Sequence, residues 1–231
     1  MTSTGLVKVG GVSAILAVVL YIVAAIVYVV GVGQVDSDDA AKVLLAVNDN
    51  RAAYLTSTWL ALLGAALLIP TALGFFQALR EAAGVLWIAV AAMFTGALLF
   101  MATAMIQLGV GYELAPGYVE ASDATKPALT VIASTLDAIN DVANEIGLIL
   151  LFGIGVLLFA LASLRMSIAP KWVGWLGLIG VIFAWLSTLE PVVEALGAQN
   201  GIAFVISMVW MGVMGVVLLR WREPATTTSP S

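Results

Sequence analysis

Six stretches of nearly unbroken apolar sequence limit what this chain can become. They lie near residues 9–32, 54–79, 84–109, 146–164, 172–189 and 202–220. A bilayer hydrocarbon core about 30 Å thick is crossed by about 20 helical residues, and each stretch is close to that length. The chain is 62% hydrophobic and 10% charged, against about 45–50% and about 25% for a soluble domain. A soluble fold of 231 residues cannot hide so much apolar surface, so lipid is the solvent. Barrel strands run about ten residues and alternate apolar with polar; these stretches do neither. The expectation is an all-α polytopic membrane bundle of six transmembrane helices, one domain over residues 1–222. Residues 223–231, polar and containing Pro224, are expected to form a disordered cytoplasmic tail.

Basic residues set the orientation. Lys8, Arg80, Arg165, Lys171, Arg220 and Arg222 fall on the side that holds both termini. The other side holds Lys42, Arg51 and Lys126 over much more sequence. Lysine and arginine stay cytoplasmic, so both termini are placed inside, in a prokaryotic inner membrane. The run behind Lys8 is longer than the roughly 7–15 apolar residues of a signal peptide and reads as a retained span. Twelve of the fourteen acids lie on or near the outer side. Trp87, Trp172, Trp175 and Trp221 mark inner ends, and Trp59, Tyr54, Tyr28 and Trp185 outer ends. They are expected to be headgroup anchors.

The segment from Gln34 to Tyr54 predicts a short helix on the outer surface, capped by Asp36 or Ser37, with Val43, Leu44 and Val47 on one apolar face. Asn50 is placed to cap the second span. Pro70 falls inside that span and is expected to kink it. The glycines of QLGVGYELAPGY and Pro116 are expected to end the third helix and open an irregular loop. Pro127 is suited to start the next helix. Gly174, Gly177, Gly180, Gly212 and Gly215 predict close helix packing within the bundle.

The chain has no cysteine and no histidine. That excludes disulfides, thiolate chemistry, histidine-held haem or zinc, and any triad with an imidazole base. No cofactor is implied. No nucleophile sits beside a base, so an enzyme is the least supported class. Nothing suggests nucleic acid; the lipid bilayer is the one certain partner, and no protein partner can be named.

The feature that carries chemistry is LDAINDVANEIGLILLFGIGVLLFALASLR, residues 136–165. At 100° per residue, Asp137, Asn140, Asp141, Asn144 and Glu145 share one arc of about 140°. Leu136, Ile139, Val142, Ala143 and Ile146 form the opposite face, expected to rest on other outer segments. Pro127 to Arg165 makes about 58 Å of helix, so only its inner half fits the hydrocarbon and Glu145 falls at the outer boundary. Glu190 and Glu194 are at the outer end of the fifth span. Two readings follow. The stripe is a solvated continuation of the helix, or Glu145, Glu190, Asp141, Asn144 and Gln107 share a pocket. Oxygen ligands of this kind suit a hard cation, a proton relay or an amine.

The same stretch, followed by MSIAPKWVGWLGLIGVI, resembles a family of bacterial multi-pass membrane proteins catalogued only as a domain of unknown function. The likeness lies in the Asp/Asn-rich helix start and the P-x-W-x-G-W-x-G turn. It implies a prokaryotic membrane location and brings no activity. The function expected is binding or transport of a cation or small polar solute through an outward-facing acidic pocket. The alternative is a structural or regulatory subunit that docks a partner through its outer cap. The candidate site is Asp137, Asn140, Asp141, Asn144, Glu145 and Glu190.

Overall fold

The computed structural model of the protein describes residues 3–33, 39–80, 83–166, 168–189 and 198–222. Among these residues the elements are all helical. They are α1 (Ser3–Gly31), α2 (Ala40–Asp49), α3 (Arg51–Ala78), α4 (Ala83–Gly109), α5 (Ala115–Glu120), α6 (Lys126–Leu148), α7 (Leu157–Arg165), α8 (Lys171–Ser187) and α9 (Ala198–Arg220). Two π-helical segments, Val110–Leu114 and Ile149–Val156, join α4 to α5 and α6 to α7 without a break. Among the described residues, five helices are long and apolar enough to cross a membrane: Ser3–Gly31, Arg51–Ala78, Gly84–Glu120, Lys126–Arg165 and Gly201–Arg220. Lys171–Ser187 is apolar but shorter. The chain is a membrane-embedded helical protein.

Two apolar cores organise it. The larger fills the bundle, where Phe75 meets Phe159 and Trp210 edge to face, with centroids 5.4 and 5.5 Å apart. The smaller holds one end together as a cap. There Leu44 and Val47 of α2 are buried with Tyr54, Ala115 and Tyr118. The short amphipathic helix expected from the sequence is therefore present, and its apolar face points into the cap core. Its cap differs from the expectation: the Asp39 carboxylate accepts from the Lys42 backbone N–H at 3.2 Å, while Asp36 and Ser37 lie outside the described residues. Lys42 also pairs with Asp39 at 3.1 Å. Both interactions favour the ionised carboxylate, and they hold the Asp39 carboxyl below its ordinary range. Asn50 donates its side-chain amide to Ala46 O at 3.1 Å. It finishes α2 rather than capping α3.

Close backbone approach sets the helix pairs. α1 packs on α3 and α9. A Cβ on Gly10 would stand 2.5 Å from Gly74 Cα, and one on Gly11 would stand 2.8 Å from Gly215 O. Small residues allow such contacts between membrane helices. Gly174, Gly177 and Gly180 face Leu164, Ala160 and Ser207 in the same way, whereas Gly212 makes only ordinary contact. α3 continues through Pro70.

The loop expected after Gly109 is instead helical as far as Glu120. Pro116 follows the π-helical turn without a break, so its missing N–H leaves a carbonyl of the preceding turn without its helical donor. Arg51 supports the π-helical turn. Its Nε donates to Gly111 O and its Nη2 to Tyr112 O, both at 3.0 Å. The guanidinium also lies over the Tyr112 ring. The second π segment has a similar prop, with Trp185 Nε1 donating to Gly153 O at 3.2 Å. Each side chain satisfies a carbonyl that the wide turn displaces. Arg51→Met is expected to destabilise the protein by about 1–3 kcal/mol, the cost of stranding such acceptors. A lowered melting temperature in detergent checks this.

A cavity between the bundle and the cap

At the junction of the two cores lies a cavity of about 650 Å³. Tyr21 and Tyr28 of α1, Tyr54 and Thr58 of α3, Gln107 of α4 and Phe204 of α9 form its wall. α6 closes it with Ala133, Leu136, Asp137, Asn140 and Asp141. Ligand pockets span about 300–1,000 Å³, mostly apolar with a few convergent polar groups, and this one has both properties. Among its described lining residues there are two carboxylates and no lysine or arginine.

The orientation of α6 reverses the expected one. Val131 and Val142 are 66% and 58% exposed, and Ile132, Ile139 and Ile146 are exposed beside them. The apolar face thus points away from the protein, and the face carrying Asp137, Asn140 and Asp141 turns toward the cavity. Only Leu136 of the apolar set lines the cavity, and Ala143 is half-buried. Helical periodicity divides the residues into two faces but does not choose which is inside.

The candidate residues consequently divide. Asp137, Asn140, Asp141 and Gln107 share the cavity. Asn144 and Glu145 are outside the set that lines it; Asp137 and Asp141 line it while themselves exposed, and Asn140 is half-buried. Glu190 and Glu194 lie outside the described residues, as does the tail, 223–231. Among the described residues no three acids gather in a way that could hold a metal ion.

Asp137 is close enough to act electrostatically on Asp141, Tyr28 and Tyr54. The rings of Tyr28 and Tyr54 are 6.3 Å apart, and Tyr21 meets Phe204 edge to face at 5.7 Å. The hydroxyls of Ser57 and Thr58 are already used, each donating to Tyr54 O at 2.8 Å. Two lining residues have unused polar atoms. The Tyr21 hydroxyl and Asn140 Oδ1 are closed off from solvent and have no hydrogen-bond partner among the described residues. A buried polar atom left unpaired costs about 1–3 kcal/mol.

The tyrosines were the residues that sequence reasoning misassigned. Tyr28 and Tyr54 read as headgroup anchors, yet Tyr54 is buried and both face the cavity. A usable signal was present. Tyr21 and Tyr28 are seven apart, on one face of α1, and Tyr21 lies ten residues inside Gly31, about 15 Å from the helix end. A tyrosine that deep cannot be an interfacial anchor.

No curated protein and no solved structure matches the chain. Residues 9–221, nearly its whole length, match the family described as Domain of unknown function (DUF4386), and the chain belongs to that family.

Proposed function

We propose that this membrane protein binds a small amphipathic solute bearing a protonated amine in the cavity between the bundle and the cap. One observation carries the reading: two carboxylates, unpartnered buried polar atoms and four aromatic rings border a single cavity. The carboxylates supply the charge for an ammonium group. Tyrosine faces attract a cation by about 0.5–2 kcal/mol depending on desolvation. The apolar wall takes the rest of the solute. The lack of a three-acid cluster among the described residues makes an organic cation a better fit than a bare divalent ion.

In this proposal six helices cross a prokaryotic inner membrane, with α8 as the sixth crossing. Its 17 residues make about 26 Å of helix, close to the hydrocarbon thickness. The distribution of basic residues supports cytoplasmic termini, an orientation in which the cavity opens on the outer side. Binding is the step that the cavity supports; transport would add a second, inward-open state. The alternative, a structural or regulatory subunit docking a partner, draws support from the exposed apolar face of α6.

Thermal stability in detergent tests the proposal. A ligand that binds only the folded state adds about 2.7 kcal/mol at one hundred times its dissociation constant. A primary arylalkylamine such as 2-phenylethylamine is expected to raise the melting temperature. Its trimethylammonium analogue is expected to raise it less, because it has no N–H for Asn140 Oδ1. No stabilisation by any amine across pH 5 to 8, together with a co-purifying protein, would favour the docking reading. Tyr21→Phe removes an unpaired buried hydroxyl and is expected to stabilise the ligand-free protein by about 1 kcal/mol. Differential scanning fluorimetry reads that gain.

A further inference from the structure

A second cavity, of about 670 Å³, lies at the opposite end of the molecule between the start of α8 and the end of α9. Its chemistry is graded along its length. Arg220, Trp221 and Arg222 stand at the mouth, with Trp172 across from them on α8. Val213, Val216 and Val217 continue inward along α9. Residues 213, 216, 217 and 220 are spaced three and four apart, so they share one helix face. That face runs about 10 Å from the guanidinium into the apolar part of the bundle. Among the described lining residues there is no acid, and neither arginine pairs with a described carboxylate.

A cationic, tryptophan-flanked mouth above an aliphatic groove matches a molecule with an anionic head and a hydrocarbon tail. We propose that this groove is a binding site for one anionic phospholipid, with its phosphate between Arg220 and Arg222 and an acyl chain along the valines. Guanidinium groups bind phosphate through paired N–H donors. The tryptophan rings suit the headgroup level by their mixed apolar and polar character. The phospholipid is the occupant to which the apolar floor points, since a free anion would leave those valines unused. The assignment is independent of the amine cavity and of which leaflet the groove meets.

Native mass spectrometry of the full chain, titrated with phosphatidylglycerol or phosphatidylcholine of identical acyl chains, tests it. One phosphatidylglycerol is expected to be retained in preference to phosphatidylcholine. Arg220→Gln with Arg222→Gln should weaken that retention about thirty-fold, which is about 2 kcal/mol at about 1 kcal/mol per basic residue. Val216→Phe, which fills the groove and leaves both arginines, should also lose the lipid. Arg165→Gln removes a charge outside the groove and should change nothing. Equal retention of the two lipids would overturn the proposal. So would an equal loss in Arg165→Gln, which would mean diffuse surface charge. Displacement of the lipid by inorganic phosphate would also overturn it, by assigning the arginines to a free anion. If the double variant does not fold, Val216→Phe decides: unchanged retention there contradicts the groove.

Discussion

Gly10→Leu is expected to cost about 3 kcal/mol or more, the upper end of what overpacking costs in a well-packed core. A Cβ at Gly10 would stand 2.5 Å from Gly74 Cα, 3.0 Å from Gly74 N and 3.0 Å from Pro70 O. All three are backbone atoms, so no side chain can move aside. Relief requires α1 to separate from α3, which is its most extensive partner. The mirror change, Gly74→Leu, should cost a similar amount, because the same two backbones meet. Gly84→Leu is the control, since nothing stands within 4 Å of a Cβ there. Urea or thermal unfolding in detergent should separate the first two variants from the third by at least 2 kcal/mol.

The second large effect concerns the cavity. Asp137→Asn with Asp141→Asn should weaken amine binding about a hundredfold. That corresponds to about 2.7 kcal/mol, within the roughly 1.5–3 kcal/mol of a hydrogen bond to a charged group. Each change is nearly isosteric, so the fold should persist. Glu145→Asn should leave binding unchanged, because Glu145 lies outside the cavity lining although it belongs to the same sequence stripe. Isothermal titration of the three proteins with 2-phenylethylamine reads the difference.

The bundle was legible because a membrane span needs only a long apolar run, and the runs here are unbroken. The amphipathic α2 was legible for a related reason: Leu44 and Val47 recur at helical spacing, and both are buried. The ends of the helices were harder. Gly109, Gly111 and Pro116 look like a helix stop, yet the chain stays helical there because Arg51, sixty residues earlier, reaches the displaced carbonyl of Gly111. A local pattern does not contain that partner. The acid-amide stripe was found on α6, but its facing was not. Ile139 and Val142 were expected to be buried and are exposed. Periodicity gives the two faces and does not choose between them. The aromatic wall was hidden for the opposite reason. Tyr54 obeys the interface rule in sequence and is buried in space, while Tyr28 stays exposed near the end of α1 and also borders the cavity.

Photoaffinity labelling addresses the central claim most directly. The full chain would be irradiated with a photoreactive arylalkylamine, with and without excess 2-phenylethylamine, and digested for peptide mapping. The account predicts protectable labels on the α1 segment that carries Tyr21 and Tyr28 and on the α9 segment that carries Phe204. It also predicts their loss in the Asp137→Asn, Asp141→Asn variant. Labels confined to the exposed apolar face of α6, or labels that excess amine does not displace, would contradict it.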